Sequence, residues 1–189
     1  MPLHSLGVLQ PGDIVVVRTP GGFPTPQWWI RLGAALQDKP NLDNHVAMMH
    51  HYDSQGVPWG FEGKPGGVGQ VDMRSYIASG YTVNNCGQPG RTDADRAKAA
   101  DLMKSMEGTK YDWQAIGGDG LMDLHVHLWN DVTGFNPNLK PGEVVCSSFG
   151  AYVYEVLKWA HPDMNTERVC QPADWESWCV SNQYSLKLT

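Results

Sequence analysis

The stretch from Gly142 to Ala160, GEVVCSSFGAYVYEVLKWA, constrains this chain more than any other. Pro141-Gly142 interrupts the backbone, Val144-Val145 is a short apolar approach, and Cys146 opens a helix expected to continue to about Ala160. Phe149, Val153, Val156, Leu157 and Ala160 recur at i, i+4, i+7, i+8 and i+11, which places them on one helical face. Pro162 disfavours helical geometry at His161 and ends the run. A cysteine in the first turn sits among unpaired N–H groups at the positive end of the helix dipole, where a thiolate is favoured. Two readings follow: a nucleophile active at neutral pH, or a structural cysteine buried at a helix start.

A cysteine nucleophile needs a base within hydrogen-bond reach and a third group to hold that base. The chain has seven histidines. His4 is terminal, and His161 lies at the far end of the cysteine's own helix, about 20 Å away at the helical rise per residue. His125 and His127 alternate in DLHVHLW but lack a third ligand for a metal, so no metal is expected. His45 follows Asn44 and opens the apolar strand HVAMMHHY. Alternation puts His45, Ala47, Met49 and His51 on one face of that strand and Val46, Met48 and His50 on the other. His45 is therefore the candidate base; the competing reading is an edge-strand histidine with no special role. Glu62, on the returning strand Trp59-Gly60-Phe61-Glu62, could orient the imidazole, with His51 as its rival. A glutamate in a Gly-rich turn can also be simply solvated.

The remaining elements are read from punctuation and period. Leu9 to Asp13 is a turn and Ile14 to Arg18 a continuous apolar strand. Gln27 to Gln37 has helical spacing, weakened by Gly33. Lys64 to Gly69 reads as a flexible Gly-rich loop without the spacing of a phosphate-binding loop. Asp72 to Ile77 suggests a helical turn and Tyr81 to Asn84 a strand. Thr92 to Glu107 is a helix with a capping box at Thr92 and Asp95 and a buried face of Ala99, Leu102, Met103 and Met106, closed by Gly108. Residues 114–140 give few periodic signals. A short helix begins at Gln171-Pro172, and Gln183 to Leu188 is a last strand. This mixture is an α+β domain, one unit over residues 1–189.

Composition removes several function classes. Net charge is −6 with no basic run, so no nucleic-acid partner is expected. The amino terminus lacks the pattern of a signal peptide, and no stretch approaches the roughly 18 apolar residues that span a bilayer. A cytoplasmic or phage-delivered protein without a stable membrane anchor is expected. Of the four cysteines, Cys86, Cys146, Cys170 and Cys179, three remain if Cys146 is a free nucleophile, and three cannot all pair. A reduced compartment is the simpler expectation. The eight tryptophans fit core packing, with Trp28-Trp29 a possible groove lining.

VVCSSFGAYVYE resembles the nucleophile segment of the NlpC-type cell-wall peptidases, and GTKYDW, Gly108 to Trp113, resembles their Gly-x-x-Tyr-x-Trp segment. Only 43 residues follow Cys146, with His161 the sole histidine among them, so the usual order of cysteine before histidine is not met. The order LQPGDIVVVR, NHVAMM, GFEG, GTKYDW, VVCSS, QPADW is instead similar to the circularly permuted branch, the YiiX-like proteins and the lecithin:retinol acyltransferase group. The resemblance runs from about Leu9 to Trp175 as short motifs. Val145 stands where the family has Asp, Ser148 where it has Gly, and an insertion separates Tyr111 from Cys146.

The resemblance implies a papain-like fold with an antiparallel sheet packed on the cysteine helix. It implies Cys146 as nucleophile, His45 as base, Glu62 as orienting group and Tyr111 as a site-lining hydroxyl, with no cofactor; Ser147, Asn44 and His51 are further site-lining candidates. The implied activity is a cysteine amidase or peptidase acting on peptidoglycan stem peptides. Acyl transfer or lipid thioester chemistry, whose group uses a histidine as third residue, and a binding module without turnover are the alternatives.

Overall fold

Ile14–Arg18 (β1) opens with four β-branched residues buried on both faces, a pattern that belongs in the middle of a sheet. The computed structural model describes residues 9–19, 45–79, 81–87, 90–111, 143–144, 146–162, 172–182 and 185–187. Within these, β1 lies between His45–Tyr52 (β2) and Thr82–Cys86 (β5), antiparallel to both. Pro58–Lys64 (β3), Gly67–Asp72 (β4) and Ser185–Lys187 (β8) complete a six-stranded sheet in the order β4-β3-β2-β1-β5-β8, antiparallel throughout. A small parallel pair, Lys110–Tyr111 (β6) with Glu143–Val144 (β7), stands apart from it.

The helices are Arg74–Ala78 (α1), Asp93–Ser105 (α2), Cys146–Leu157 (α3) and Pro172–Ser181 (α4). Period-two alternation divides the sheet between two apolar clusters. Ile14, Val16, Val46, Met48 and Phe61 pack against Met103 of α2, Phe149 and Val153 of α3, and Trp175 of α4. Val15, Val17, Ala47 and Met49 face the other way, towards Leu9, Met73, Tyr76 and Val83. The architecture is α+β, with α3 packed on β2 and β3.

Close approach of α3 to the sheet depends on Gly150. A Cβ there would come within 2.8 Å of Ile14 Cδ1, with the Trp175 ring next at 3.5 Å. The start of β1 is fixed from the same side. Arg96 Nη1 donates to Asp13 Oδ1 at 3.0 Å and to the Pro11 carbonyl at 2.9 Å, and the Tyr154 hydroxyl donates to the Gly12 carbonyl at 2.7 Å. Both members of the Asp13–Arg96 pair are buried, and the Gly-Asp turn anchors α2 and α3 to the start of β1.

Four expectations change. Lys64 to Gly69 is not a loose loop: Pro65-Gly66 turns a hairpin and Gly67 begins β4, with φ of 103° at Gly66 and 116° at Gly67. The cysteine helix stops at Leu157, before Pro162 can act. Lys158 adopts φ 55°, while Trp159 N–H bonds the Tyr154 carbonyl at 2.8 Å and Lys158 N–H bonds that of Glu155 at 3.0 Å. This Schellman ending turns Trp159 back onto Tyr154, ring centroids 5.2 Å apart, and leaves Val156 and Ala160 exposed.

The third change is in β2. Met49 lies opposite Gly60 and His51 opposite Trp59, so His50 is an extra residue, a β-bulge. Trp59 shares a face with Phe61, hence His51 joins His50 on that face, and their Nδ1 atoms are 2.6 Å apart. The alternation that put His51 beside His45 fails at this point.

The fourth concerns cysteine pairing. Packing of α4 on β5 brings Cys86 and Cys179 to 5.6 Å between Cα atoms, and they form a disulfide, so the cysteine count no longer supports a reduced compartment. The helix expected over Gln27 to Gln37, residues Trp28-Trp29 and His125-His127, and the 114–140 stretch lie outside the described residues. Among those described, no helix is long and apolar enough to cross a membrane.

The disulfide closes a loop across 93 positions of sequence. Reducing it, or replacing Cys86 and Cys179 by Ser together, should lower unfolding free energy by about 2–5 kcal/mol. Urea denaturation with and without reductant measures this; coincident midpoints would contradict the pairing.

Candidate active site

His45 is the first residue of β2 and Cys146 the first of α3. The neighbours of His45 at period two, Ala47 and Met49, lie on one face of the sheet, whereas the buried residues of α3 pack on the other. Because both residues are terminal, an imidazole from one face comes near a thiol from a helix on the opposite face, close enough for Cys146 to act on the charge of His45. Cys146 is only 2% exposed, while the His45 side chain keeps 17%.

Glu62 reaches the other side of the ring. It lies opposite Ala47 in the β2–β3 ladder, so its side chain shares a face with His45 and sits diagonally from it. His45 Nε2 is 2.6 Å from Glu62 Oε2. A carboxylate only accepts, so Nε2 carries the proton and Nδ1 is left for the Cys146 sulfur. The Glu62 carboxylate is well held: the Tyr76 hydroxyl donates to Oε2 at 2.5 Å and Lys64 Nζ donates to Oε1 at 3.0 Å.

Charge follows geometry. Burial alone would pull His45 down, but hydrogen bonds to Cys146 and Glu62, and the negative charge on both, raise it to about 10. Burial pushes Glu62 up, yet the His45 hydrogen bond and charge, then Tyr76 and Lys64, hold it down at about 2. Tyr111 is pushed well up by burial and by the negative charges of Cys146 and Glu62, so it stays a neutral hydroxyl beside them. Its position is fixed by backbone pairing. β6 runs beside β7, and β4 bonds the preceding turn through Val68 N–H to the Thr109 carbonyl and Gly108 N–H to the Val68 carbonyl, both 2.8 Å.

The structure thus brings Cys146, His45, Glu62 and Tyr111 together. Ser147 is buried next to Cys146, and its carbonyl accepts from the Trp175 indole N–H at 3.2 Å, which buttresses the first turn of α3. Asn44 lies outside the described residues. His51 is not at the site: it lies six steps along the strand from His45, about 20 Å, and the bulge turns it to the other face. Tyr76 and Lys64 escaped the sequence reading. Lys64 was legible, since it lies two residues beyond Glu62 on one strand. Tyr76 was not, because its place depends on α1 folding back under β3, where Met73 N–H bonds the Pro58 carbonyl at 3.0 Å.

Glu62 supplies part of what raises His45, so Glu62→Gln should drop the histidine from about 10 towards its ordinary 6.5. The pH at which His45 loses its charge beside Cys146 should move down with it. The sign is fixed: a raised histidine contributes stability below pH 6.5 and loses it as pH climbs through about 10. Rates of Cys146 alkylation across pH test this; an unchanged alkaline limb would contradict the role of Glu62.

No family model matches this chain and no curated protein matches it, so the functional reading rests on the geometry of Cys146, His45 and Glu62.

Proposed function

We propose that this chain is a cysteine hydrolase, an amidase or peptidase with a papain-like fold of the permuted NlpC type. The observation that carries the reading is a His45 ring that bonds Glu62 at 2.6 Å through Nε2 and lies near enough to Cys146 to be raised by it. The antiparallel sheet with the cysteine helix packed on it, and the chain order of histidine, glutamate, tyrosine and cysteine, support it further.

In this mechanism His45 has already taken the Cys146 thiol proton in the resting enzyme, and the thiolate attacks the carbonyl carbon of an amide. The oxyanion is held by backbone N–H groups at the start of α3, where the helix dipole adds positive potential. The His45 imidazolium gives its proton to the amine as the C–N bond breaks, leaving a thioester on Cys146. Water, activated by His45, then releases the acid and restores the thiol. Glu62 keeps the ring oriented and supports its cation. Tyr111 borders the thiol as a neutral hydroxyl donor. Peptidoglycan stem peptide is the proposed substrate.

Incubation with defined muropeptides and with acyl esters, followed by mass spectrometry, tests the reading. The expected outcome is cleavage of a stem-peptide amide, abolished by Cys146→Ala, with a substrate-derived acyl mass on Cys146 in rapidly quenched samples. Turnover of esters alone would move the substrate class to lipids. Cleavage that survives Cys146→Ala would overturn the mechanism.

A further inference from the structure

Tyr76 holds a place that the three-residue mechanism does not use. It projects from α1, is buried, and lies edge-on to the His45 ring with centroids 6.0 Å apart. Its hydroxyl is 2.5 Å from Glu62 Oε2 and 3.4 Å from His45 Nε2. The shorter contact goes to the carboxylate, which can only accept, so the phenol is the donor. Oε2 therefore receives two hydrogen bonds, one from the base and one from Tyr76.

We propose that Tyr76 is a positioning residue that acts through Glu62, fixing the carboxylate so that Oε2 presents to His45 Nε2 in one orientation. This inference rests on the Cys146–His45–Glu62 reading above. The terminal torsion of a glutamate is broad and roughly two-fold, so its strand alone does not set the carboxylate plane. Tyr76 on Oε2 and Lys64 on Oε1 clamp both ends of it. Burial and the Glu62 charge push the Tyr76 phenol well above its ordinary range, so it keeps its proton and remains a donor to Glu62. A second buried tyrosine supplies the contrast. Tyr154 satisfies its hydroxyl on a backbone carbonyl, that of Gly12, beside the Asp13–Arg96 pair and not on Glu62 or His45, which is the ordinary structural solution.

The test is a double-mutant cycle read by Cys146 alkylation against pH, which needs no substrate. Tyr76→Phe keeps the ring and removes the donor, and should slow alkylation at neutral pH by about tenfold, the scale of one charge-assisted hydrogen bond. In a Glu62→Gln background the same change should add little, because the group through which Tyr76 acts is already altered. Tyr154→Phe is the control: it should lower the thermal midpoint and leave the pH profile in place. An unchanged profile in Tyr76→Phe, or full additivity with Glu62→Gln, overturns the proposal while leaving the Cys–His–Glu reading intact. If His45→Ala and Glu62→Gln also leave alkylation unchanged, that reading fails and takes this inference with it. Should Tyr76→Phe not fold, meta-fluorotyrosine at position 76 retains ring and hydroxyl. Its fluorine resonance should move on Glu62→Gln, and a fixed resonance overturns the hydrogen bond.

Discussion

A carboxylate removed from water must find donors, and in this protein that requirement ties three elements to one point. Glu62 has a side chain only 9% exposed, and it accepts from His45 of β2, Tyr76 of α1 and Lys64 of its own strand. Loss of any donor leaves a buried charge short of partners, which is more costly than the bond was stabilising. The same arrangement decides the chemistry. A negative charge fixed against Nε2 keeps a proton on the ring, and the opposite nitrogen is left for sulfur. His45 is therefore raised although it is buried, the reverse of what desolvation alone does.

The helix that delivers the sulfur is held with comparable economy. Gly150 lets α3 lie against Ile14, Trp175 bonds the Ser147 carbonyl one residue from the thiol, and Tyr154 bonds the turn before β1. The Cys86–Cys179 disulfide fastens α4, and with it Trp175, to the sheet. Cys146 and His45 come from opposite sides of that sheet, so small errors in helix placement would separate them. Packing of this kind supports the precision that proton transfer needs.

Much of this was legible in the residues. Alternation in HVAMMHHY and the apolar run IVVVR located the central strands, and Thr92 with Asp95 marked a capping box that forms as expected, Thr92 Oγ1 accepting from Asp95 N–H at 3.2 Å. His45, Glu62 and Cys146 stood out because each terminates or punctuates an apolar element. The failures share a cause: they depend on partners distant in sequence. The bulge at His50 is a property of the β2–β3 pairing, and no local pattern distinguishes it from regular strand. The early end of α3 is set by the gain from burying Trp159 on Tyr154, which outweighs the strain of Lys158 at positive φ. Tyr76 and the pairing of Cys86 with Cys179 likewise come from tertiary packing.

The central claim is that His45 carries a proton at neutral pH because Glu62 and Cys146 share it. Nitrogen-detected NMR of the His45 ring, followed from acid to strongly alkaline pH, measures that proton directly. The expected result is an imidazolium throughout the neutral range, titrating near 10. A ring that titrates at about 6.5, as an unperturbed histidine does, would contradict the account.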